Sequence, residues 1–327
     1  MVAPSFPLFN LPQKNLKDVF CNMSVIQQTC ISLISEKTRN LVREFHIFKQ
    51  LQVCLDFIFL PDYHFYLKGS AKFIFIPHNR KFIARSSSGE HSNYSVPQFD
   101  AKSWLKHLIY IFNVTEIHSL RSRFFDWDLR EPRLKMPKEC LKNLKILNLS
   151  IGFTNKISLV VELYSAFQHI KKFSLRQYSH KPLDSTLLLE LRHLLSKTNQ
   201  QLCLNINLPL NELLLTSCSS IDIHRTQLTD KDINVFLKHW FAGLKPELEH
   251  FRVRKDGPAF NQKTILKGIP HEFASIGRKF KLFEMDSQVG GIDIDLGQDI
   301  KATLVFNHKP GIADFSVAVH NSKYFFC

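Results

Sequence analysis

The chain has 327 residues, 44% hydrophobic and 22% charged, the balance of a folded protein of one large or a few ordinary domains rather than a disordered segment. Forty-three Lys and Arg against 29 Asp and Glu give a net charge of +14, which admits nucleic acid, an anionic membrane or an acidic protein as partner and selects none. The greasiest run, Val53 to Leu60, is interrupted by Asp56 and falls short of the ~18 residues of a membrane span.

In chain order, the first 45 residues open on an apolar lead, "FPLFNLP", followed by Leu16, Val19, Phe20 and Met23 on one helical face. Ser24 and Gln27 read as a capping box that starts a second helix, with Cys30, Leu33, Ile34, Leu41 and Val42 on one stripe. A segment of this length rarely builds its own core, so its apolar faces need cover from the next domain or from a partner. Residues 46–99 form a strand-rich connecting segment, with "LQVCLDFIF", "HFYLK" and "KFIFI" as strands, and the polar stretch 86–98 reads as a linker. "DAKSWLKHLIYIF" is a helix capped by Asp100, with Trp104, Leu105, Leu108, Ile109 and Phe112 buried.

Residues 100–258 read as a repeat-like α/β region. Leu141, Leu144, Leu147, Leu149 and Phe167, Ile170, Phe173, Leu175 share the spacing 3, 3, 2, and Leu248, Phe251, Val253 repeat it in part. "LNELLL" and "SSIDI" read as shorter strand echoes. Helix-like segments alternate with these strands, and Thr229 with Asp232 caps the last of them. Alternating strand and helix at this period suggests a leucine-rich-repeat-like solenoid; an ordinary α/β domain with a mixed sheet is the rival. Residues 259–327 are β-rich. The fold class expected is therefore α/β, with a helical N-terminus, repeat-like strand–helix units and a β-rich C-terminal part.

Local signatures of catalysis are absent: no phosphate-binding loop, no dinucleotide fingerprint and no nucleophile elbow. "HEFAS" lacks the second histidine of a zinc helix, because position 275 is Ser275. "DIDLGQD" has Gln298 where a calcium loop needs its turn glycine, and Leu304 where it needs a bidentate Glu. The seven cysteines have no close pairs, which argues for reduced thiols rather than a zinc or disulfide framework. No catalytic residue, cofactor or metal is expected, nor a secretory leader, and a cytoplasmic or nuclear location follows.

The stretch "FPLFNLPQKNLKDVFCNM…ISLISEKTRNLV" resembles an F-box. "SWLKHLIYIF", "IDIHRTQLTDKDINVFLKHWFAGLKPELEHFRV" and "ILKGI…GGIDIDLGQDIKATL" resemble the type 2 F-box-associated region of the large nematode F-box family. The resemblance implies an F-box over residues 1–45 and a substrate-binding region over 100–327. It further implies a non-catalytic substrate-recognition adaptor of a Skp–cullin–F-box type E3 ubiquitin ligase. The F-box docks on a small acidic Skp-family linker, and through it on a cullin scaffold, while the C-terminal region captures a protein substrate. On that reading Leu8, Leu11, Pro12, Leu16, Val19, Phe20, Leu33 and Ile34 are candidates for the linker interface, some of them belonging to the module's own core.

Two other readings compete. Arg121, Arg123, Arg130, Arg133, Lys135 and Lys138 alternate with Phe124, Phe125 and Trp127 within residues 121–145, a pattern that could hold single-stranded nucleic acid. Asp126, Asp128, Glu131 and Glu139 dilute that field and disfavour it. The third reading is a ligase-free interaction scaffold. His224, Arg225, His239 and Trp240 stand out in the repeat-like region, but Trp240 reads as core and no substrate-binding residue is assigned.

Overall fold

A computed structural model describes residues 8–45, 52–59, 62–68, 72–78, 81–87, 89, 91–95, 99–123, 132–154, 157–167, 169–178, 185–196, 199–275, 277–282, 287–297, 300–320, 322 and 325–326. The fold is mixed α/β, with a helical N-terminal region and a strand-rich remainder. The chain divides into two units: residues 1–148 with 166–169, and residues 149–165 with 170–327. No described helix is long and apolar enough to cross a membrane.

The first unit begins with a 3-10 turn at Leu8–Asn10 and three helices, α1 (Gln13–Asn22), α2 (Val25–Ser32) and α3 (Glu36–Phe45). The capping box of α2 forms as its residue types predict: Ser24 Oγ accepts from the Gln27 N–H at 3.2 Å, and Gln27 Oε1 accepts from the Ser24 N–H at 2.8 Å. The single long helix expected from Ser24 onward is instead two. Ser35 and Thr38 bond each other's backbone amides reciprocally, at 3.0 and 3.2 Å, so a second cap ends one helix and starts the next. Leu16, Phe20, Val25, Ile26, Val42 and Phe45 form the interior of this module, with the Phe20 and Phe45 rings edge to face at 5.4 Å. Burying each of these large side chains is worth about 1.5–3 kcal/mol.

Strands β1 (Gln52–Phe59), β2 (Asp62–Lys68), β3 (Lys72–His78), β4 (Lys81–Ser86) and β5 (His91–Ser95) follow as an antiparallel meander. Part of the expected linker at 86–98 is thus a strand, with Phe82 opposite Tyr94 and Ala84 opposite Ser92. Helix α4 (Ala101–Ile111) is capped by Asp100 and crosses over to β6 (Glu116–Arg123), which pairs parallel to β1. Trp104, Leu105, Leu108, Ile111 and Phe112 are buried, as the periodicity requires. Helices α2 and α3 pack on α4, where Arg43 stacks on the Tyr110 ring and the Tyr110 hydroxyl donates to Asn40 at 2.7 Å. Part of the apolar opening is therefore covered by the chain itself.

Helix α5 (Pro132–Leu141) and strand β7 (Lys145–Phe153) come next, and the division between units falls within β7. In the second unit, α6 (Ile157–Ser165), β8 (Lys172–Gln177), α7 (Ser185–Leu195), β9 (Asn199–Asn205), α8 (Leu210–Leu214), β10 (Cys218–His224), α9 (Asp230–His239) and β11 (His250–Asp256) alternate. Strands β8, β9, β10 and β11 are parallel and lie side by side in chain order. Phe173, Leu175, Leu202, Leu204, Ile221, Ile223, Phe251 and Val253 line one face, all buried. Helices cover that face: Tyr164 of α6 meets Phe173 at 4.8 Å, and Phe236 of α9 meets Phe251 at 4.3 Å. "LNELLL", read as a strand echo, is α8 with Leu215 exposed behind it; the strand of that unit is β9, carried by the alternation of Leu202 and Leu204. The helices α7, α8 and α9 have 11, 5 and 10 residues, so no uniform repeat is defined.

A short α10 (Gln262–Ile265) leads to β12 (Glu272–Phe273), β13 (Lys279–Leu282), β14 (Ser287–Val289), β15 (Ile292–Asp295), β16 (Lys301–Lys309), β17 (Ile312–Val319) and β18 (Phe325–Phe326). Strand β17 adds antiparallel to β11 and is followed outward by β16, β15 and β12; β14, β13 and β18 form a small separate sheet. The expected β-rich C-terminus is thus mostly an antiparallel extension of the parallel sheet.

Candidate docking surface and cleft

The eight residues proposed for a linker interface separate by burial. Leu16 and Phe20 are 5% and 0% exposed and belong to the helical module's interior, the part of the eight that the sequence left undivided between core and interface. Leu8, Leu11, Val19 and Leu33 are half-buried, Pro12 is exposed and Ile34 is 68% exposed. Gln13 Nε2 donates to Glu44 Oε1 at 3.2 Å, which sets the Leu11–Pro12 corner beside the C-terminal end of α3. Leu33 and Ile34 precede the other end of that helix, about 15 Å away at 1.5 Å per residue. The accessible apolar residues therefore stand at both ends of the module rather than in one tight cluster.

The parallel sheet of the second unit has a polar face opposite its helix-covered one. Register aligns Lys172, Gln201, Ser220 and His250 in one row, and Ser174, Cys203, Asp222, Arg252 and Ser316 in the next. Polar groups placed there need partners. Arg252 binds Asp314 through Nε at 3.0 Å and Nη2 at 2.5 Å, a forked pair with both side chains largely buried. His250 sits between Ser220 (3.0 Å) and Ser316 (3.3 Å), and burial pushes its imidazole down to about 4, so it is neutral.

At the carboxyl ends of the strands, Arg254 Nη2 lies 2.9 Å from Asp222 Oδ2 and 2.5 Å from His224 Nε2, while His224 Nε2 lies 3.1 Å from Asp222 Oδ1. Burial works to raise the Asp222 carboxyl, but the hydrogen bond from His224 and the surrounding positive charges hold it at about 2. Burial likewise works to lower His224, but bonds to Asp222 and Cys203 carry it to about 9. Asp222 thus stands between the Arg254 guanidinium and the His224 ring. Cys203, Asp222 and His224 hold ligand atoms within 4.8 Å of one another, but the Arg254 guanidinium stands against the same atoms, and its charge opposes a metal cation there.

Of this group, His224 and Arg254 line a cleft of about 690 Å³ that runs along the strand ends. Arg176 and Gln177 end β8 and Tyr178 follows it, Asn205 ends β9 with Asn207 just beyond, His224 ends β10 with Arg225 and Gln227 just beyond, Arg254, Lys255 and Asp256 end β11, and Ile312 starts β17. Ends of parallel strands are the usual location of ligand sites in open α/β sheets. His224 and Arg225, noted in the sequence but left without a role, lie in this cleft, whereas Trp240 is buried in the core. Arg176, Tyr178 and Asn205 escaped the sequence reading. Polar residues alternating with Leu202 and Leu204 were the available signal. Of the basic-aromatic stretch, Arg121 is exposed on β6 and Lys138 is half-buried on α5; the side chains of Arg123, Phe124, Phe125, Trp127, Arg130, Arg133 and Lys135 lie outside the described residues.

A helical module that leaves apolar side chains accessible, together with an α/β body bearing an open cleft, defines a modular interaction protein. The F-box domain model matches residues 8–50, and the model described as F-box associated matches residues 190–253, from α7 into β11. The F-box associated domain-containing protein sdz-33 of Caenorhabditis elegans is 24% identical over 264 residues, spanning 78% of this chain and 80% of that protein. No solved structure matches the chain. The chain thus pairs an F-box match with an F-box-associated match, and it is similar to a nematode protein of the F-box-associated kind. F-box domains generally bind Skp-type linkers in cullin-based ligases, and the two families are typically non-catalytic adaptors.

Proposed function

We propose that this protein is the substrate-recognition subunit of a Skp–cullin–F-box type ubiquitin ligase in the cytoplasm or nucleus. Its F-box docks on a Skp-family linker, and its C-terminal region holds a protein client, whose local concentration near the ubiquitin-charged enzyme is thereby raised. The observation that carries this reading is the F-box match over residues 8–50, on a module whose Leu8, Leu11, Pro12, Val19, Leu33 and Ile34 stay accessible. We take these six as the interface candidates, since Leu16 and Phe20 are buried within the module. The net charge of +14 favours encounter with an acidic linker, chiefly through the association rate. The consecutive parallel strands support a finer reading as a short, irregular leucine-rich-repeat-like body, in which the strand side rather than the helix side recognises the client.

Co-expression with a Skp-family linker, followed by size-exclusion chromatography, tests the adaptor role. Co-elution as one complex is the expected result. A folded chain that elutes without the linker overturns it.

A further inference from the structure

The cleft at the strand ends has a specific chemistry. Five basic side chains line it, four of them permanently charged: Arg176, Arg225, Arg254 and Lys255, with His224 beside them. Three carboxylates answer them. Asp222 serves both His224 and Arg254, Asp230 lies 3.4 Å from Lys255, and Asp256 lies 3.7 Å from Arg225. The last pair is about 70% exposed on both sides, so it binds weakly and can exchange. Arg176 is exposed and makes no hydrogen bond or ion pair among the described residues. The cleft therefore holds a surplus of positive charge, with one guanidinium that no described residue engages. Asn205, Asn207 and Gln227 add neutral amides beside it, groups that pair with a peptide backbone.

Arg225 adds a conformational argument. Its φ is +54°, in the left-handed region that side-chain-bearing residues adopt at a cost of about 1–2 kcal/mol. The backbone is held there by the Arg225 N–H, which donates to the Arg254 carbonyl at 2.9 Å, and the side chain stands at the cleft. Strain of this kind collects at binding sites. The size of the cleft also fits a chain rather than a small molecule. Strand ends spaced by about 4.8 Å, from β8 to β17, give a track of roughly 20 Å, enough for about six residues of extended peptide.

We infer that this cleft binds an acidic, extended segment of the client protein, its carboxylates meeting Arg176, Arg225 and Arg254 and its backbone meeting the neighbouring amides. The inference rests on the adaptor reading for the word client; the cleft's preference for an acidic peptide stands on its own.

The test uses the full chain and a fluorescein-labelled dodecapeptide of alternating Glu and Ser. A Gln–Ser peptide, a Lys–Ser peptide and a twelve-nucleotide single-stranded DNA serve as comparisons. Fluorescence anisotropy is expected to show saturable binding of the acidic peptide that weakens with salt, at least tenfold tighter than any comparison. The double substitution Arg176→Glu with Arg225→Glu is expected to weaken it at least tenfold with the melting temperature retained. The milder Arg176→Gln with Arg225→Gln is expected to give an intermediate loss. Lys263→Glu with Lys267→Glu makes the same change in net charge at exposed positions of and just beyond α10, and is expected to leave binding intact. Equal loss in the two Glu pairs, equal binding of the neutral peptide, or tighter binding of the oligonucleotide overturns the proposal. Linker binding, measured on the same preparations, keeps the two readings apart. Linker bound without acidic peptide defeats the cleft alone, and acidic peptide bound without linker defeats the adaptor role alone.

Discussion

Ser32 Oγ lies 2.8 Å from His107 Nε2, and this buried pair ties the second F-box helix to α4. The Ser32 hydroxyl donates to the Thr29 carbonyl at 2.6 Å, so its oxygen is left to accept, and His107 must carry its proton on Nε2. The ring is neutral, packed edge-on against Phe99 and Trp104. Burial first, and the Arg39 charge second, push its imidazole down to about 4. Between the ordinary histidine value near 6.5 and 4, the unfolded chain takes up a proton that the folded one refuses. Stability therefore falls as pH drops through that window, by up to ~1.4 kcal/mol per pH unit from this group. His107→Gln should flatten that part of the profile relative to wild type in melts at pH 4.5, 5.5 and 6.5. His250 contributes a drift of the same sign to both proteins, so the difference between them isolates His107. Parallel profiles would show that His107 is not the titrating group.

The division of the F-box leucines and phenylalanines predicts opposite outcomes for two kinds of substitution. Leu11 is half-buried at the module's corner, so Leu11→Asp should abolish co-elution with a Skp-family linker at a stability cost of about 1 kcal/mol or less. Phe20 is fully buried against Phe45, and Phe20→Ala should cost about 3–5 kcal/mol. Any loss of linker binding there follows from unfolding. A circular-dichroism melt beside each chromatogram separates the two. Retained binding in Leu11→Asp would move the interface away from this corner.

Features encoded within a few consecutive residues were legible in the sequence. Ser24 with Gln27, Asp100, and Thr229 with Asp232 cap α2, α4 and α9, each through bonds three residues apart. Alternation and helical spacing also located Phe173, Leu175, Phe251 and Val253 on the sheet's buried face. Where two local signals competed, the weaker was missed. The apolar stripe through Ile34 and Val42 suggested one helix, but the Ser35–Thr38 exchange breaks it and leaves Ile34 in water. "LNELLL" follows Pro209, which starts a helix there although the leucine spacing suggests a strand. The cleft was illegible for a different reason. Arg176, Asn205, Arg225 and Arg254 meet only because four strands lie in register, and no local pattern records that register.

Gly152, on β7, shows how closely the cleft wall is fitted. A methyl group there would stand 2.4 Å from Cε2 of Tyr178, a residue lining the cleft, whose own N–H donates to the Phe153 carbonyl at 2.8 Å. The clashing atoms are the far end of the ring, so Gly152→Ala should be relieved by the ring swinging away rather than by backbone movement. The expected stability cost is about 1 kcal/mol, or about 2–4 °C in melting temperature. Tyr178 lines the cleft, so a ring displaced into it should lower acidic-peptide affinity severalfold. Unchanged affinity with an unchanged melting temperature would mean that the ring yields without reshaping the cleft.

Arg225 predicts a conflict between stability and binding. Its φ of +54° is one that glycine adopts without steric penalty. Arg225→Gly removes about 1–2 kcal/mol of left-handed strain and adds about 0.5–1 kcal/mol of unfolded-state entropy, a net gain of roughly 0.5 kcal/mol. Little is lost with the side chain, because its ion pair to Asp256 is long and exposed. The variant should therefore melt no lower than wild type while binding the acidic peptide several times more weakly. Arg225→Ala keeps the strain and loses the charge, so it should match the glycine variant in affinity and fall below it in stability. If instead both variants destabilise equally, the left-handed backbone is not strained, and Arg225 holds the fold through a contact other than those of its backbone. If glycine stabilises but affinity holds, the strained residue serves the turn and not the ligand.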